Sequence, residues 1–430
     1  MKITKLIFLF CLLQPFSSFS DEFKNNFKRS IQLVRAHQFG EALDILYNLE
    51  AQRPDNPAVL NNIAYTLKQI GRMAEAIPYY EKTMELAPGN DPRLGLAKAY
   101  LATGQFEKAW PLFEYRVADQ ENYRQKFQFQ HLTLENLKDK TVLIVCEWGL
   151  GDMIQFAPRY AQVLKQAGVK KIIMHTFNPL VQLFQHCDYI DEVISLKQPA
   201  IGYFDVKIPA LSLPLICKTQ VETIPSNIPY LYADPDLVEY WDKELHKIEH
   251  LKPCPEPREA RVERIRVGLC WQAKPGIFLE ENPLTKRAVP LELFAPLAQL
   301  EHVQLYSLQR QFGMEQLYEN RNKTCPAKPD WRRRIHDFGK NFDADHGRFM
   351  DTAAVIENLD LVISVDTAMV HVAGALGAPV WVLIPSVAEW RWHLHETETP
   401  WYPNVRLFRQ KTHGDWASVI AQIVDELCKL

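Results

Sequence analysis

A period of 33 to 34 residues runs through the first third of this 430-residue chain and constrains its fold more than any other feature. Ala42, Ala76 and Ala109 mark the period, and a bulky residue follows each of them four positions later. These bulky residues are Leu46, Tyr80 and Phe113. Residues four apart lie on one face of a helix, so each small and bulky pair allows a second helix to pack closely. The repetition predicts helical hairpins that stack and share a core.

Glycine and proline recur at the same period. Gly71 and Gly104 are 33 residues apart and suit the turn inside each hairpin, while Pro54 and Pro88 are 34 apart and suit its end. The pattern resembles the tetratricopeptide repeat, which we place at residues 21–120. Such repeats serve either as a structural stack or as a concave surface for a protein or peptide partner, and the sequence leaves both open.

The first twenty residues have the pattern of a targeting leader. Lys2 and Lys5 precede the apolar run 6–13, and small residues follow before Asp21. This pattern is typical of a secretory signal peptide and is short for a membrane span. Cleavage would place the protein in the periplasm or outside the cell. An uncleaved leader would leave it in the cytoplasm, held at the membrane.

Charge and cysteine spacing exclude several function classes. The chain has 49 basic and 52 acidic residues, a formal net charge of −3, so no global field attracts nucleic acid. Its eight cysteines are scattered without a C-x-x-C pair, which argues against a zinc site. We expect neither a metal nor a cofactor.

The periodicity changes after a linker at residues 121–138. Apolar runs typical of buried strands then alternate with helical patterns, beginning at 141–146. This alternation predicts parallel sheets. A proline-rich stretch at 252–257 separates two Rossmann-like domains, at 139–255 and 262–430. The second domain includes a predicted helix at 291–300. The fold class is therefore helical repeats followed by α/β domains.

The first candidate site follows the first predicted strand. Gly149 and Gly151 allow a ligand to approach the backbone where the carboxyl end of the strand opens, and Asp152 starts the next helix. A carboxylate at this place can take a proton from an attacking hydroxyl. It can also simply cap the helix, and the spacing alone favours this second role.

The second candidate site lies where a buried strand runs into Asp366, Thr367 and Ala368. The first amides of the following helix favour a phosphate, and Asp366 can accept hydrogen bonds from sugar hydroxyls. His371 stands one turn into that helix, as a ligand or as a core residue. Neither domain contains G-x-G-x-x-G, so a dinucleotide cofactor is not expected.

The segment 361–385 and the tail around 389–410 resemble bacterial tetratricopeptide proteins with a glycosyltransferase family 9 region, which are similar to lipopolysaccharide heptosyltransferases. The resemblance implies two Rossmann-like domains in the GT-B arrangement. It also implies a sugar moved from a nucleotide-sugar donor to a hydroxyl of a glycan, lipid or protein. The alternative is a non-catalytic adaptor that retains a degenerate transferase domain.

The resemblance also assigns roles to single residues. Asp152, with Pro158 after it, matches the family's general base. Asp366, Thr367 and His371, with Ala368 between them, match the element that binds the diphosphate and sugar of the donor. These assignments predict that the two candidate sites face one cleft.

The basic group that holds the donor phosphate in the family corresponds to Arg287, with Lys286 beside it. Trp271 opens the turn after the first strand of the second domain. Here the chain departs from the family pattern, because Gln272-Ala273-Lys274 replaces an x-G-N turn and a longer segment, 275–285, follows.

Aromatic residues crowd the end of the chain. Trp390, Trp392 and Trp401 either line the cleft, stacking on sugar or base, or pack a C-terminal cap.

Overall fold

The computed structural model describes residues 20–117, 131–200, 202–251, 264–274, 282–319, 331–394 and 396–430. They form two compact units. The first unit combines 20–117 with 282–286 and 386–394, and the second holds the described residues of 131–274, 287–385 and 396–430. The leader up to residue 19, the linker up to residue 130 and the proline-rich stretch 252–257 lie outside the described residues. No helix in the described ranges is both long and apolar enough to cross a bilayer.

Six helices build the repeat region of the first unit. They are α1 (Asp21–Arg35), α2 (Phe39–Gln52), α3 (Pro57–Gln69), α4 (Met73–Leu86), α5 (Asn90–Ala102) and α6 (Phe106–Phe113). Gly71 and Gly104 turn the chain inside the second and third hairpins with φ of +80° and +76°, a conformation that favours glycine. Asn56 caps α3 by accepting hydrogen bonds from Ala58 and Val59. The predicted helical hairpins are confirmed.

The periodic residues form the core of this stack. Ala42, Ala76 and Ala109 are fully buried, as the spacing predicts. Gly95 shows how close the packing is, because a Cβ at this position would lie 2.5 Å from the ring of Tyr80. The hairpins thus bury one another's small residues, and the stack needs its neighbours for stability.

Two short segments from the later sequence complete the first unit, and we term them strap 1 (282–286) and strap 2 (386–394). In strap 1, the Asn282 amide donates a hydrogen bond of 2.8 Å to the main-chain oxygen of Gln69. Leu284 packs against the apolar cluster around Val34 and Phe39. Strap 1 therefore covers the hairpin turns of the first two repeats.

Strap 2 packs on the third repeat. The Trp390 ring lies edge-on to Trp110 and to Phe113, with centroids 6.0 and 6.2 Å apart. His393 stacks on Phe106 at 6.3 Å. Edge-to-face aromatic pairs add stability beyond the area that they bury. These rings pack strap 2 against α6.

The second unit contains two sheets and their helices. In chain order its elements are α7 (Leu134–Leu137), β1 (Thr141–Val145), α8 (Leu150–Gln166), β2 (Lys171–Thr176), α9 (Val181–Gln185), β3 (Glu192–Ser195), β4 (Val206–Pro209), α10 (Leu213–Ile216), α11 (Pro235–Leu251), β5 (Ile265–Cys270), β6 (Val303–Ser307), α12 (Met314–Tyr318), β7 (Ile335–Asp337), α13 (Met350–Glu357), β8 (Leu361–Val365), α14 (Ala368–Leu376), β9 (Val380–Ile384), β10 (Glu398–Thr399), β11 (Tyr402–Arg409) and α15 (Trp416–Leu427).

The first sheet has the strand order β3-β2-β1-β4 and is parallel throughout. The second has the order β10-β11-β9-β8-β5-β6-β7, and only the β10–β11 pair is antiparallel. Strand order reverses between β1 and β4 in the first sheet and between β5 and β8 in the second. Ligands of open α/β sheets bind at the carboxyl ends of strands at such switch points. Helical repeats followed by two parallel α/β layers confirm the predicted fold class.

One predicted element is wrong. The sequence predicts a helix at 291–300, but the chain forms two 3₁₀ turns, Leu291–Phe294 and Leu297–Gln299. Pro296 stands between the turns and lacks the N–H that a continuous helix requires. The turns still bury Leu291, Phe294 and Leu297 in the core of the second sheet.

Candidate functional site

The first candidate site forms at the start of α8, directly after β1 at the switch point of the first sheet. Gly149 is the N-cap of α8, and its N–H donates a hydrogen bond of 3.2 Å to Oδ2 of Asp152. A side chain on Gly149 would lie 3.1 Å from that oxygen. The Asp152 carboxylate is partly exposed and held over the first turn of the helix. Asp152 therefore caps the helix and is only partly buried.

The second candidate site forms at the start of α14, after β8 at the switch point of the second sheet. Thr367 is the N-cap in extended conformation and makes no side-chain capping bond. The Val370 N–H donates to the Thr367 oxygen at 3.1 Å. The N–H groups of Ala368 and Met369 come before it, and the positive end of the helix at this place favours an anion. Asp366, just before Thr367, is buried at 2% exposure.

The two candidate sites lie against each other. A Cβ on Gly151 would lie 3.0 Å from Cδ2 of His371 and 3.4 Å from Cα of Ala368. Only a residue without a side chain lets the first turns of α8 and α14 approach so closely. The structure thus brings together residues more than 200 positions apart, which the sequence placed in separate domains.

Arg287 is positioned by the end of β5. Its main-chain oxygen accepts a hydrogen bond of 3.0 Å from Ala273, and Val289 donates one of 2.9 Å to Trp271. This short antiparallel pairing places an Arg287 Nη1 3.6 Å from Oδ2 of Asp366. The Arg287 side chain is 38% exposed, so its charge stays accessible while the buried carboxylate orients it.

The other predicted site residues lie in different surroundings. Trp271 is fully buried in the core of the second sheet, and its Nε1 donates to Gly313. Trp401 is also buried and packs edge-on against Phe156 of α8 at 5.2 Å. For these two rings the structure shows packing in the second unit.

Lys286, Trp390 and Trp392 belong to the first unit through the straps. Trp390 and Trp392 are buried, and the contacts of Trp390 with Trp110 and Phe113 are those of a packed aromatic cluster. The packing alternative accounts for the position of Trp390, and its place in a cleft wall stays a prediction.

Trp148 is a site residue that the sequence reasoning missed. It immediately precedes the N-cap of α8, is 42% exposed, and has φ of +65°. A bulky residue in this left-handed region carries strain of order 1–3 kcal/mol, and such residues cluster at functional sites. The signal available in the sequence was a tryptophan directly before Gly149.

A buried polar chain beside the site was also missed. Arg159 of α8, Tyr230 and Tyr402 are all at most 1% exposed, and Tyr402 contacts His371. Nothing local in the sequence links these residues, because they are 71 and 172 positions apart along the chain. In the same described ranges, no group of three His, Cys, Asp or Glu side chains is arranged to hold a metal ion.

Two family models each match one segment of the chain. A tetratricopeptide repeat model matches residues 69–113, and the model for glycosyltransferase family 9 (heptosyltransferase) matches residues 347–414. The second match contains Asp366, Thr367 and His371. The two resemblances inferred from the sequence are confirmed, and they support a glycosyltransferase in general.

Known proteins similar to this chain include a curated relative and two solved structures. Protein FlbA of Caulobacter vibrioides is 24% identical over 407 residues, covering 87% of this chain and 62% of FlbA. The chain therefore spans less than two thirds of that relative. The ADP-heptose LPS heptosyltransferase II of E. coli is 14% identical, with 67% of this chain and 98% of that chain covered and a TM-score of 0.45. A glycosyl transferase family 9 structure from Veillonella parvula is 14% identical, with 68% and 99% covered and a TM-score of 0.47.

Proposed function

We propose that this protein transfers a sugar from a nucleotide-sugar donor to a hydroxyl acceptor where α8 and α14 meet. The observation that carries the proposal is the close approach of Gly151 to His371 and Ala368. It brings a partly exposed carboxylate, Asp152, next to a helix start with uncapped amides. A proton acceptor beside an anion site is the arrangement that displacement of a nucleoside diphosphate needs.

The donor diphosphate would bind at the first turn of α14. The amides of Ala368 and its neighbour supply hydrogen bonds and the positive end of the helix dipole. Arg287 supplies a full charge, held near Asp366 at 3.6 Å. Groups fixed in advance around developing charge are usually the largest contribution to catalysis.

Asp152 would take the proton of the acceptor hydroxyl. The hydrogen bond from the Gly149 N–H to Oδ2 fixes the carboxylate over the first turn of α8. Trp148, exposed beside it, would pack against the acceptor. A glycan, a lipid and a protein side chain all offer the required hydroxyl, and the repeats would hold a protein partner.

The test is transfer of labelled sugar from a panel of nucleotide sugars, with ADP sugars first. The full chain is incubated with an extract of the cells that produce it, as the source of acceptor. We expect label in polymer or lipid for one donor.

Asp152→Asn should lower the rate by about 10² to 10⁴, the usual contribution of a general base, while donor binding is retained. Equal rates for Asp152→Asn and wild type would reduce Asp152 to a helix cap. Folded protein that neither binds nor uses any donor would favour the adaptor.

A further inference from the structure

A chain of buried polar side chains connects α8 to α14 behind the proposed site. It begins at Arg159, whose Nη2 donates to the main-chain oxygen of Trp401 at 2.7 Å and to the Tyr230 hydroxyl at 3.4 Å. No carboxylate in the described ranges pairs with this guanidinium. Its charge is instead satisfied by carbonyl oxygens and by the ring faces of Tyr230 and Tyr402, 4.6 and 4.9 Å away.

The chain continues through two phenols to a histidine. The Tyr230 and Tyr402 hydroxyls are 3.0 Å apart, and the Tyr402 hydroxyl is 3.0 Å from Nδ1 of His371. Gly374 makes room for the Tyr402 ring, since a Cβ there would lie 2.7 Å from it. The main-chain N–H of Tyr230 donates to Ala375. Both phenols are therefore anchored on α14.

Arg159 sets the direction of these hydrogen bonds. A guanidinium only donates, so the Tyr230 oxygen accepts from it. The Tyr230 proton then goes to Tyr402 at 3.0 Å in preference to the Gln155 carbonyl at 3.4 Å. Burial raises the pKa of the Tyr402 phenol well above its ordinary value, so the phenol keeps its proton and donates it to His371. Nδ1 of His371 is then an acceptor.

The opposite edge of the imidazole faces the site. Cδ2 of His371 lies 3.0 Å from the Cβ position of Gly151, and Cδ2 is bonded to Nε2. We propose that Arg159, Tyr230 and Tyr402 are positioning residues that fix His371 as the Nε2–H tautomer, with that N–H edge held at the first turn of α8. Resting on the proposed function, this makes His371 a hydrogen-bond donor toward the anionic groups of the transfer site.

The tautomer is measured by ¹⁵N NMR of the full chain labelled at histidine. The spectrum of His371→Gln identifies the His371 signals by their loss. We expect wild-type Nδ1 to be unprotonated and Nε2 to carry the proton. Tyr402→Phe removes the donor to Nδ1, so this preference should be lost. Tyr230→Phe interrupts the hydrogen-bond network one residue before Tyr402, and it replaces Tyr402→Phe in the experiment if that variant does not fold.

Tyr160→Phe is the matched control. Tyr160 lies in α8 and is fully buried, like Tyr230 and Tyr402. Its hydroxyl is hydrogen-bonded to Thr219 at 2.8 Å and is not part of the polar network from Arg159 to His371. The His371 signals should not change in this variant. A proton on Nδ1 in the wild type would overturn the proposal. So would wild-type signals that persist in both Tyr402→Phe and Tyr230→Phe.

The NMR experiment needs no donor or acceptor, so it succeeds or fails separately from the proposed function. Where transfer is measured, Tyr402→Phe should lower kcat about tenfold and leave the donor KM nearly unchanged, since the substrate touches His371 and not Tyr402. If Tyr402→Phe changed kcat and the donor KM in the same way as Tyr160→Phe does, the Tyr402 hydroxyl would have a structural role only. That result would contradict the positioning role.

Discussion

A side chain at position 151 would push apart the two helices that carry the proposed site. Gly151→Ala places a methyl group 3.0 Å from the buried His371 ring and 3.4 Å from the α14 backbone. We expect donor turnover to fall at least about tenfold, because small displacements of reacting groups cost that much. Thermal unfolding should change little, since alanine also favours the helix by about 1 kcal/mol. Steady-state kinetics and a melting curve measure the two effects.

Gly40→Ala is the control for this substitution. Gly40 also stands in the first turn of a helix, α2, but nothing lies within 4 Å of its Cβ position. Turnover should be that of the wild type, with stability slightly raised. A Gly151→Ala enzyme as active as Gly40→Ala would show that the close approach of α8 and α14 is not required.

Lys68 in α3 gives the repeat region a pH dependence. Burial and the nearby Lys98 lower the pKa of Lys68 from 10.5 to about 8. The unfolded chain therefore binds this proton more tightly, so stability rises as pH increases from about 8 to about 10.5. Lys68→Met should be more stable than wild type at pH 7, and the difference should shrink above pH 8. Urea unfolding between pH 7 and 10 measures it, with the exposed Lys28→Met as control. A difference that does not depend on pH would contradict the prediction.

Residue patterns in the sequence predicted the parts of the site that follow from local chemistry. Asp152 lies in the first turn of the helix after β1, and Asp366 directly follows β8; both positions are predicted from neighbouring residues. Arg159, Tyr230 and Tyr402 could not be found in this way. Their interaction depends on how α8, α14 and β11 pack. The residues next to an arginine or tyrosine in the sequence do not predict whether its side chain is buried.

At the scale of elements, strap 2 is part of the fold of the repeats. Trp390 is 4% exposed and packs on two aromatic residues of α6. Trp390→Ala removes a buried aromatic side chain and should destabilise the first unit by about 3 to 5 kcal/mol. Hydrogen exchange should then show faster opening of α5 and α6 and no change in β5 or β8.

Phe312→Ala provides the comparison. Phe312 is 42% exposed in the second unit, so its removal should cost less than about 0.5 kcal/mol. If Trp390→Ala leaves the exchange of α5 and α6 as slow as Phe312→Ala does, the strap is not part of the repeat core. The packing role of Trp390 would then be contradicted.

Elements with strong periodicity were predicted well, and elements defined by distant partners were not. The strand Leu361–Val365 is apolar apart from Ser364 and is buried throughout, so its sequence predicts it. The short strand Val206–Pro209 is defined by pairing with β1 across more than 60 residues. The aromatic residues near the end of the sequence belong partly to strap 2 and partly to the region of β11. The sequence pattern does not show which residues belong to which.

At the scale of the molecule, the two straps are adjacent in sequence to segments that carry or neighbour the proposed donor residues. Strap 1 ends at Lys286, one residue before Arg287, and strap 2 follows β9, the neighbour of the strand that ends before Asp366. The polypeptide therefore runs from strap 1 directly into Arg287, and from β9 directly into strap 2. Residues 282–285 of the extra segment that departs from the family pattern belong to strap 1.

The central claim is that the first turn of α14 and Arg287 form a working site for a nucleoside diphosphate. Calorimetric titration of the full chain with a panel of nucleoside diphosphates tests it directly. We predict that one of them binds and that Arg287→Ala weakens this binding at least about tenfold, the loss of one charged hydrogen bond. Arg334→Ala, an exposed arginine at the opposite end of the second sheet, should bind like the wild type. Folded protein that binds none of the diphosphates, or binding that Arg287→Ala leaves unchanged, would contradict the claim.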